Sequence, residues 1–556
     1  MPVLDAKERV GSSSSVERDL KKQSQSQSQD AAPASAPKGA PEEPEYPPPA
    51  QVAAVVAALC LAIFLVALDR TIIATAIPSI TDDFHSLDDI GWYGSAFLLT
   101  SCCFLLLIGR IYTFYSPKYV FLAVITVFEV GSAVCGAAPN STVFIIGRAI
   151  AGVGCAGVMN GGITLLACTV PLAKRPRYQG LFGASFGIAS VFGPLLGGAF
   201  TSNVTWRWCF YINLPIGACT IAIIAFVLKP TPAGEKGVPL KQQFLQLDPL
   251  GIFFIVPSLV CLLLALQWGG SAYDWSDGRI VALLVVFAVL ILAFTLVQIF
   301  KNDTATIPAR IIKNRSILAA QAYIFCLGSA MLVLIYYVPL WFQTIKGVGA
   351  VKSGIMTFPM IISLVLGIIL SGVVTEKLHY YTPLAYAAAV LAPIGGGLIS
   401  TWNPATNYSM WIGYQVLSGF GLGIGFQQPN MAAQTVLARP DVPTGVSIVQ
   451  FAQLLGGAVF LSVAQNILSS RLASGLGHLV PHLDPHTVGN LGATELRSLV
   501  KPEKLGELLE VYNGALRQVF YLATGLAATA VLGAAALEWK SVKAPEKKAA
   551  GDERVE

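Results

Sequence analysis

Charge is the scarcest commodity in this 556-residue sequence. Asp, Glu, Lys and Arg together make up 12%, about half of the roughly 25% usual in a soluble globular chain. Hydrophobic residues reach 54% and the mean hydropathy is +0.64. A water-soluble fold of that makeup has too little polar surface to cover itself, which excludes ordinary soluble enzymes, disordered chains and fibres. The net charge of +5 leaves no basic stripe suited to nucleic acid. No Gly-x-x-x-x-Gly-Lys-Ser/Thr loop is present to cradle ATP phosphates. The ten cysteines lie in apolar runs. They form neither a disulfide framework nor a zinc spacing and read as small packing residues. No apolar leader opens the chain, so no cleavable signal peptide is expected and the first span would act as its own insertion signal. Nothing implies a cofactor or a metal.

Residues 1–48 form a polar tail with GSSSS, the Gln23–Gln29 run and the Pro-rich Pro41–Pro49 end. It has too few apolar groups to fold and is expected to be a disordered cytoplasmic tail. From Gln51 onward, apolar runs of about 20 residues recur, each able to cross about 30 Å of hydrocarbon. They fall at 51–78, 89–108, 119–138, 143–167, 180–200, 209–228, 248–268, 279–300, 317–340, 351–374, 382–400, 409–428, 443–467 and 515–538. An all-α membrane protein with about fourteen transmembrane helices is expected, spanning the lipid bilayer many times.

Lys and Arg in the short loops orient the spans. With the N-terminus in the cytoplasm, the inside loops hold fourteen, from Arg110, Lys118, Lys174, Arg175 and Arg177 through to Arg439. The short outside loops hold Arg207, Arg279, Lys346 and Lys352. An internal repeat is also visible. Gly109-Arg-Ile-Tyr-Thr113 after span 2 matches Gly372-Val-Val-Thr-Glu376 after span 10, and Arg148, Gly152, Gly154 match Gln415, Gly419, Gly421. Spans 1–6 and 9–14 therefore read as related halves, with spans 7 and 8 inserted. The implied division is 49–230, a six-helix bundle; 231–305, the inserted pair; 306–540, a second six-helix bundle with an outside loop at 470–513; and 541–556, a cytoplasmic tail. Parallel repeats of this kind are a transporter architecture, with the substrate site between the halves.

Few ionisable groups lie within the spans: Asp69 and Arg70 in span 1, Glu129 in span 3 and Arg148 in span 4. Each costs about 2.5–3.5 kcal/mol near the bilayer centre. One reading is ion pairing that fixes helix packing. The other is a proton relay, since a carboxyl in low dielectric favours its neutral form and can load and release a proton. Asp69 and Glu129 are the candidate proton carriers and Arg148, always charged, the switch. One proton moving down about 100 mV and one pH unit releases roughly 3.7 kcal/mol, enough to hold a solute gradient of about a few hundredfold. Span 5 reads Gly180-Leu-Phe-Gly183-Ala-Ser-Phe-Gly187-Ile-Ala-Ser-Val-Phe-Gly193-Pro194-Leu-Leu-Gly197-Gly198. Its small residues permit close helix approach, and Pro194 permits a bend, so it reads as close packing or as a hinge sealing one face of the cavity.

Gly187 to Gly198 resembles the antiporter motif of the major facilitator superfamily. Arg148-Ala-Ile-Ala-Gly152-Val-Gly154 resembles its span-4 motif, and Leu68-Asp69-Arg70-Thr71-Ile-Ile-Ala-Thr-Ala-Ile77-Pro78 the span-1 motif of its fourteen-span drug:proton antiporters. Trp206-Arg207-Trp208-Cys-Phe210-Tyr-Ile-Asn213-Leu-Pro215-Ile-Gly217 is similar to the signature that opens span 6 there. The resemblance covers roughly residues 50–540 and points to the fungal branch that exports toxins and secondary metabolites. It implies a fold of two six-helix bundles plus an inserted pair. One departure stands out: after span 2 the family usually carries Gly-x-x-x-Asp-Arg, whereas here Thr113 occupies the Asp position and only Arg110 and Lys118 are basic.

Substrate-cavity candidates are polar or aromatic groups inside spans: Gln267, Trp268, Tyr336, Tyr337, Trp341, Gln427, Gln428, Gln450 and Gln453. Helix–helix hydrogen bonding or anchoring at the membrane interface accounts for such residues equally well. A neutral, aromatic lining suits bulky, weakly charged organic molecules. His478, His482 and His486 recur at steps of four, but Pro481 and Pro485 break any helix that would gather them on a metal. Asn140, Asn203 and Asn407 are glycosylation candidates on the expected outer side. The expected function is proton-coupled export of a small organic compound by alternating access, by a single chain in the cell membrane, without ATP. A proton-coupled importer, or a vacuolar carrier of siderophores or basic amino acids, is the alternative. No catalytic residue is expected.

Overall fold

A chain crossing lipid must satisfy its backbone N–H and C=O groups internally, and the helix does so. The computed structural model describes residues 46–86, 89–230, 239, 243, 246–270, 273–301, 304–476 and 504–543. Among the described residues the chain is nearly all helix, and its only β pairing is two isolated bridges.

The first half comprises α1 (Pro49–Phe84), α2 (Ile90–Phe114), α3 (Pro117–Ala137), α4 (Ser141–Thr169), α5 (Arg175–Asn203) and α6 (Asn213–Val227), the last entered through a turn of helix at Trp208–Tyr211. Then come α7 (Pro249–Trp268) and α8 (Gly278–Lys301). The second half comprises α9 (Arg315–Thr344), α10 (Phe358–Leu378), α11 (Thr382–Ser400), α12 (Tyr408–Phe426), α13 (Val442–Leu476) and α14 (Leu505–Ala536). Thirteen helical segments among the described residues are long and apolar enough to cross a membrane. The remaining long helix is α12, whose apolar content is diluted by Gln415 and five glycines; it packs against α10 and α11. Two helices outrun their expected spans furthest: α13 continues to Leu476 and α14 starts at Leu505. Hydropathy stops at Ser, Arg and Glu, but Arg and Glu are good helix formers once outside the hydrocarbon. The described edges of the expected 470–513 loop are therefore helical, and the three histidines lie outside the described residues.

The two halves repeat in three dimensions. Helix α4 and the run from Tyr408 to Val436, broken only at Gln427, start and end 267 residues apart. Gly152 of α4 sits against Phe97 O and Thr100 Oγ1 of α2, and Gly419 of α12 sits against Met360 O and Ser363 Oγ of α10. The inner glycines thus offset by 267 meet partners offset by 263. The packing pattern agrees: α4 with α2 and α3, α1 with α5 and α6, mirrored by α12 with α10 and α11, α9 with α13 and α14. This is the two-bundle, inserted-pair architecture. Helices α7 and α8 pack on each other, and α7 touches α2 of one half and α13 of the other. Most of α8 faces outward, with Val289, Leu292, Leu296, Ile299 and Phe300 exposed for lipid.

The end of the molecule carrying Arg110, Lys118 and Arg175 is called the basic end below. Lys118 illustrates how it is finished. Its Nζ donates to the carbonyls of Ala225 and Leu228 at 2.7 and 2.6 Å, placing a cation on the C-terminal dipole of α6.

Candidate functional site

The buried polar residues of the first half converge. Asp69 on α1 and Arg148 on α4 are both buried and form an ion pair at 2.5 Å. Arg148 Nε donates to Tyr93 O at 2.9 Å, and its guanidinium lies 4.5 Å over the Phe97 ring. Asn213, the first residue of α6, donates through Nδ2 to Asp69 Oδ1 at 3.4 Å and to Ser132 Oγ of α3 at 3.1 Å. Four helices are thus tied to one carboxylate, in an interior where charge survives only when paired and hydrogen-bonded. Glu129 lies one turn before Ser132 on α3. It is buried, neither carboxyl oxygen has a hydrogen-bond partner, and it packs against Gly217, where a Cβ would overlap it.

The two halves meet at the basic end. In α5, Gly180, Gly183 and Gly187 lie against Ile369, Ile368 and Val365 of α10. Further along, Gly193 and Gly197 lie against Thr71, Ile72 and Thr75 of α1 instead. The antiporter-motif segment therefore changes partner along its length, from the other half to its own. Pro194 sits within the part that has left the other half, and Gly198 has open space where a Cβ would be. The second crossing joins α2 to α13. Thr113 and Thr444 hydroxyls are 3.0 Å apart, Asn160 of α4 donates to Ser447 Oγ, and Gly109 lies directly against Ser447. Where the family's usual loop would place an aspartate, a neutral hydroxyl pair closes the contact.

The sequence pattern that describes the Major Facilitator Superfamily matches residues 59–461. The chain belongs to this superfamily. It is 52% identical over 484 residues to the "MFS-type efflux pump MFS1" of Trichophyton rubrum, covering 87% of this chain and 90% of that protein. It is 49% identical over 486 residues to the "Rubrofusarin-specific efflux pump aurT" of Gibberella zeae, covering 87% and 89%. A solved bacterial homologue of the human lysosomal transporter Spinster superposes with a TM-score of 0.52 at 15% identity, covering 88% of this chain and 98% of the other; this likeness concerns the fold alone.

Other residues singled out in this superfamily member have scattered positions. Gln267 donates to Gly91 O at 3.1 Å and Trp268 stacks edge-on against Trp92, which fastens the inserted pair to the start of α2. Gln428 donates to Ile424 O at 2.9 Å and accepts from Thr375 at 3.4 Å, a helix-packing contact. Gln427 accepts from Asn430. Tyr337 is buried and donates to Gln465 at 3.0 Å, whereas its neighbour Tyr336 is exposed. Trp341 donates to Asn513 at 2.8 Å. Gln450 and Gln453 lie on α13 beyond the Ser447 contact; Gln453 packs on Gly328 of α9, and Gln450 Oε1 is buried without a hydrogen-bond partner. None of these lines the crevice of ≈ 510 Å³ at the far end, which is framed by Leu266, Trp275, Asn466, Ser470, Arg471 and Gln518.

Four elements of the arrangement were not singled out from the sequence. Asn213 lay inside a quoted motif with no role assigned. Asn160 and Ser447 are ordinary polar residues until the halves are docked. Asp248 is the fourth: buried, it accepts from Lys301 at 2.9 Å, Gln298 at 2.8 Å, Gly251 N at 3.0 Å, and Thr306 N and Oγ1 at 2.9 and 2.8 Å. Burial alone would raise its carboxyl, but the Lys301 hydrogen bond and the others outweigh that and hold it below the ordinary range. All ten cysteines are free thiols. Among the described residues no cluster of three or more His, Cys, Asp or Glu could hold a metal.

Proposed function

We propose that this chain exports a small organic compound in exchange for protons, with Asp69 and Glu129 as the proton carriers and Arg148 as the group whose pairing alternates. The observation that carries the reading is the buried Asp69–Arg148 pair, tied through Asn213 to Ser132, which lies one turn along α3 from the unpartnered Glu129 carboxyl. A group that only packed helices would be cheaper as an apolar residue. A carboxylate that must exchange a cation for a proton has reason to stay. Relatives at about half identity are named efflux pumps, which favours export over import and a secondary metabolite or toxin as the cargo.

The cycle follows from the two crossings. The halves touch at the basic end, which lysine and arginine place in the cytoplasm. Rocking one six-helix bundle against the other would break the Thr113–Thr444 and α5–α10 contacts and open that face. Protonation of Asp69 removes the charge that holds Arg148, so the proton alters the link between α1 and α4. The membrane is the cell membrane, the working unit a single chain, and ATP takes no part.

The test uses the cell first. Deleting the gene should raise the internal level of at least one compound in an untargeted comparison. That compound, loaded into vesicles holding the purified chain, should move when a pH difference is imposed. Movement that persists unchanged after an ionophore removes the gradient would refute proton coupling.

A further inference from the structure

Beside the buried Asp69–Arg148 pair lies a second cation that the pair does not use. Both oxygens of Asp69 are engaged, by Arg148 and Asn213. The next residue, Arg70, is half-buried, and among the described residues it has no hydrogen bond and no ion pair. The groups acting on it electrostatically are the Cys155 thiol, Arg148, which repels it, and Asp69, already engaged by Arg148 and Asn213.

Its direction follows from helix geometry, in which successive side chains are about 100° apart. Asp69 faces α4 and α6. Two residues on, Thr71 faces α5, donating to Ala189 O at 3.3 Å. Arg70 falls between these directions. Ile63, about two turns nearer the basic end on the same face, lies against Gly162 of α4. Gly162 is two residues from Asn160, whose amide meets Ser447 of the other half. Two turns below Arg70, the same face of α1 is therefore level with the floor where the halves touch. One turn above that floor, on the opposing half, Gln450 Oε1 is an acceptor with no partner.

We infer that Arg70 is a specificity-determining residue that binds an acidic group of the exported compound, a carboxylate or an acidic phenol on a large, otherwise apolar molecule. A guanidinium fork matches a carboxylate with two parallel hydrogen bonds. An anion there offsets a positive charge that the fold leaves uncompensated, in surroundings drier than water. The apolar remainder suits the helix walls, and a hydroxyl on the compound would meet Gln450. The inference rests on the export reading, but binding and coupling separate cleanly in the test.

The full chain is placed in phosphatidylcholine nanodiscs, and the probes are 9-anthracenecarboxylate and its neutral methyl ester, followed by fluorescence. The acid should bind the unmodified chain. Arg70→Gln should weaken the acid by at least about tenfold, the loss expected for a charged hydrogen-bond partner, and Arg70→Lys should fall between. The ester should bind all three proteins alike. Because Arg70 holds no structural pair, both variants should elute and melt as the unmodified chain does. Equal binding of acid and ester, an acid affinity unchanged in Arg70→Gln, or no binding of the acid overturns the assignment. So does stabilisation by anionic lipid that Arg70→Gln abolishes in the absence of acid binding, which would give Arg70 to a headgroup phosphate. If the acid binds through Arg70 but vesicle flux ignores pH, the coupling reading fails while this site stands.

Discussion

Thr113 and Thr444 meet hydroxyl to hydroxyl at 3.0 Å, one from each half of the molecule. Neither is charged, so the contact depends on close fit rather than on attraction over a Debye length. If this is where the halves part in each cycle, fixing it should stop transport. The double variant Thr113→Cys with Thr444→Cys should form a disulfide on mild oxidation, since the two positions already bring side-chain atoms together. Cross-linked protein should show no flux in vesicles, and reductant should restore it. Each single variant should be indifferent to oxidant. A cross-linked protein that transports normally would mean the halves stay joined here throughout.

The Asp69–Arg148 pair gives a stability prediction and a functional one that separate. Asp69→Asn leaves Arg148 buried with no counter-charge. Breaking a buried pair from one side costs about 3–5 kcal/mol, whereas replacing both partners can be close to neutral. Asp69→Asn should therefore melt well below the unmodified chain, and Asp69→Asn combined with Arg148→Gln should recover most of the loss. Neither should show pH-driven flux. The measurement is melting temperature and flux on the same preparations.

Glu129 differs from Asp69 in having nothing to lose structurally. Its carboxyl has no hydrogen-bond partner, so the near-isosteric Glu129→Gln breaks no contact and should fold and melt close to the unmodified chain, while pH-driven flux falls. Gly217→Ala tests the place rather than the charge. Its Cβ would overlap Glu129 Oε1, so the carboxyl must move. Overpacking of this sort costs about 1–3 kcal/mol, and flux should drop although every titratable group remains. Unimpaired flux in both variants would remove Glu129 from the relay.

The sequence made the architecture legible because lipid imposes one rule: long apolar runs must be helices. Both the repeat and the small-residue segment of span 5 survive into the structure as contacts, with Gly152 and Gly419 performing the same job in each half. Asp69, Glu129 and Arg148 stood out because charge is rare in a span. What the sequence could not display was partnership. Asp69 and Arg148 are 79 residues apart and Asn160 and Ser447 are 287 apart, so pairing appears only when helices dock. Gln267, Trp268 and Gln428 looked like cavity lining because a polar group at lipid depth must face protein, a condition that a neighbouring helix meets as well as a cavity does. Arg517 was not singled out although it lies in the first turn of the 515–538 run; its Nε is buried without a hydrogen-bond partner.

Asp248 carries a prediction about pH. It gathers donors from α7, α8 and the segment leading to α9, so it pins the inserted pair at the basic end. Its carboxyl is held below the ordinary range, because the Lys301 bond and its companions outweigh burial. A depressed carboxyl stabilises the fold above its unfolded value and gives that stabilisation up as pH falls through the folded value. No change is expected around neutrality, and loosening of α7 and α8 should begin below about pH 4. Asp248→Asn should reproduce the acid behaviour at neutral pH, with a loss of about 1–3 kcal/mol. Hydrogen exchange along α8 reads both; equal protection in the variant would show that the inserted pair is held by lipid-facing packing instead.

Asn140 and Asn407 test whether a pattern read as a glycosylation signal is a helix signal. Each precedes a repeat-related helix, α4 and α12, and each accepts a hydrogen bond at 3.0 Å from a backbone N–H three residues on, Val143 and Met410. That is an N-cap, where Asn, Asp and Ser are favoured, and losing it to Ala costs about 1 kcal/mol. Asp keeps the acceptor and destroys the sequon; Ala destroys both. If the cap is the reason for the asparagine, Asn140→Asp should retain the melting temperature and flux of the unmodified chain while Asn140→Ala loses stability, with the same split at Asn407. A glycan would reverse the pattern: both substitutions would then shift gel mobility equally, and enzymatic deglycosylation of the unmodified chain would reproduce that shift.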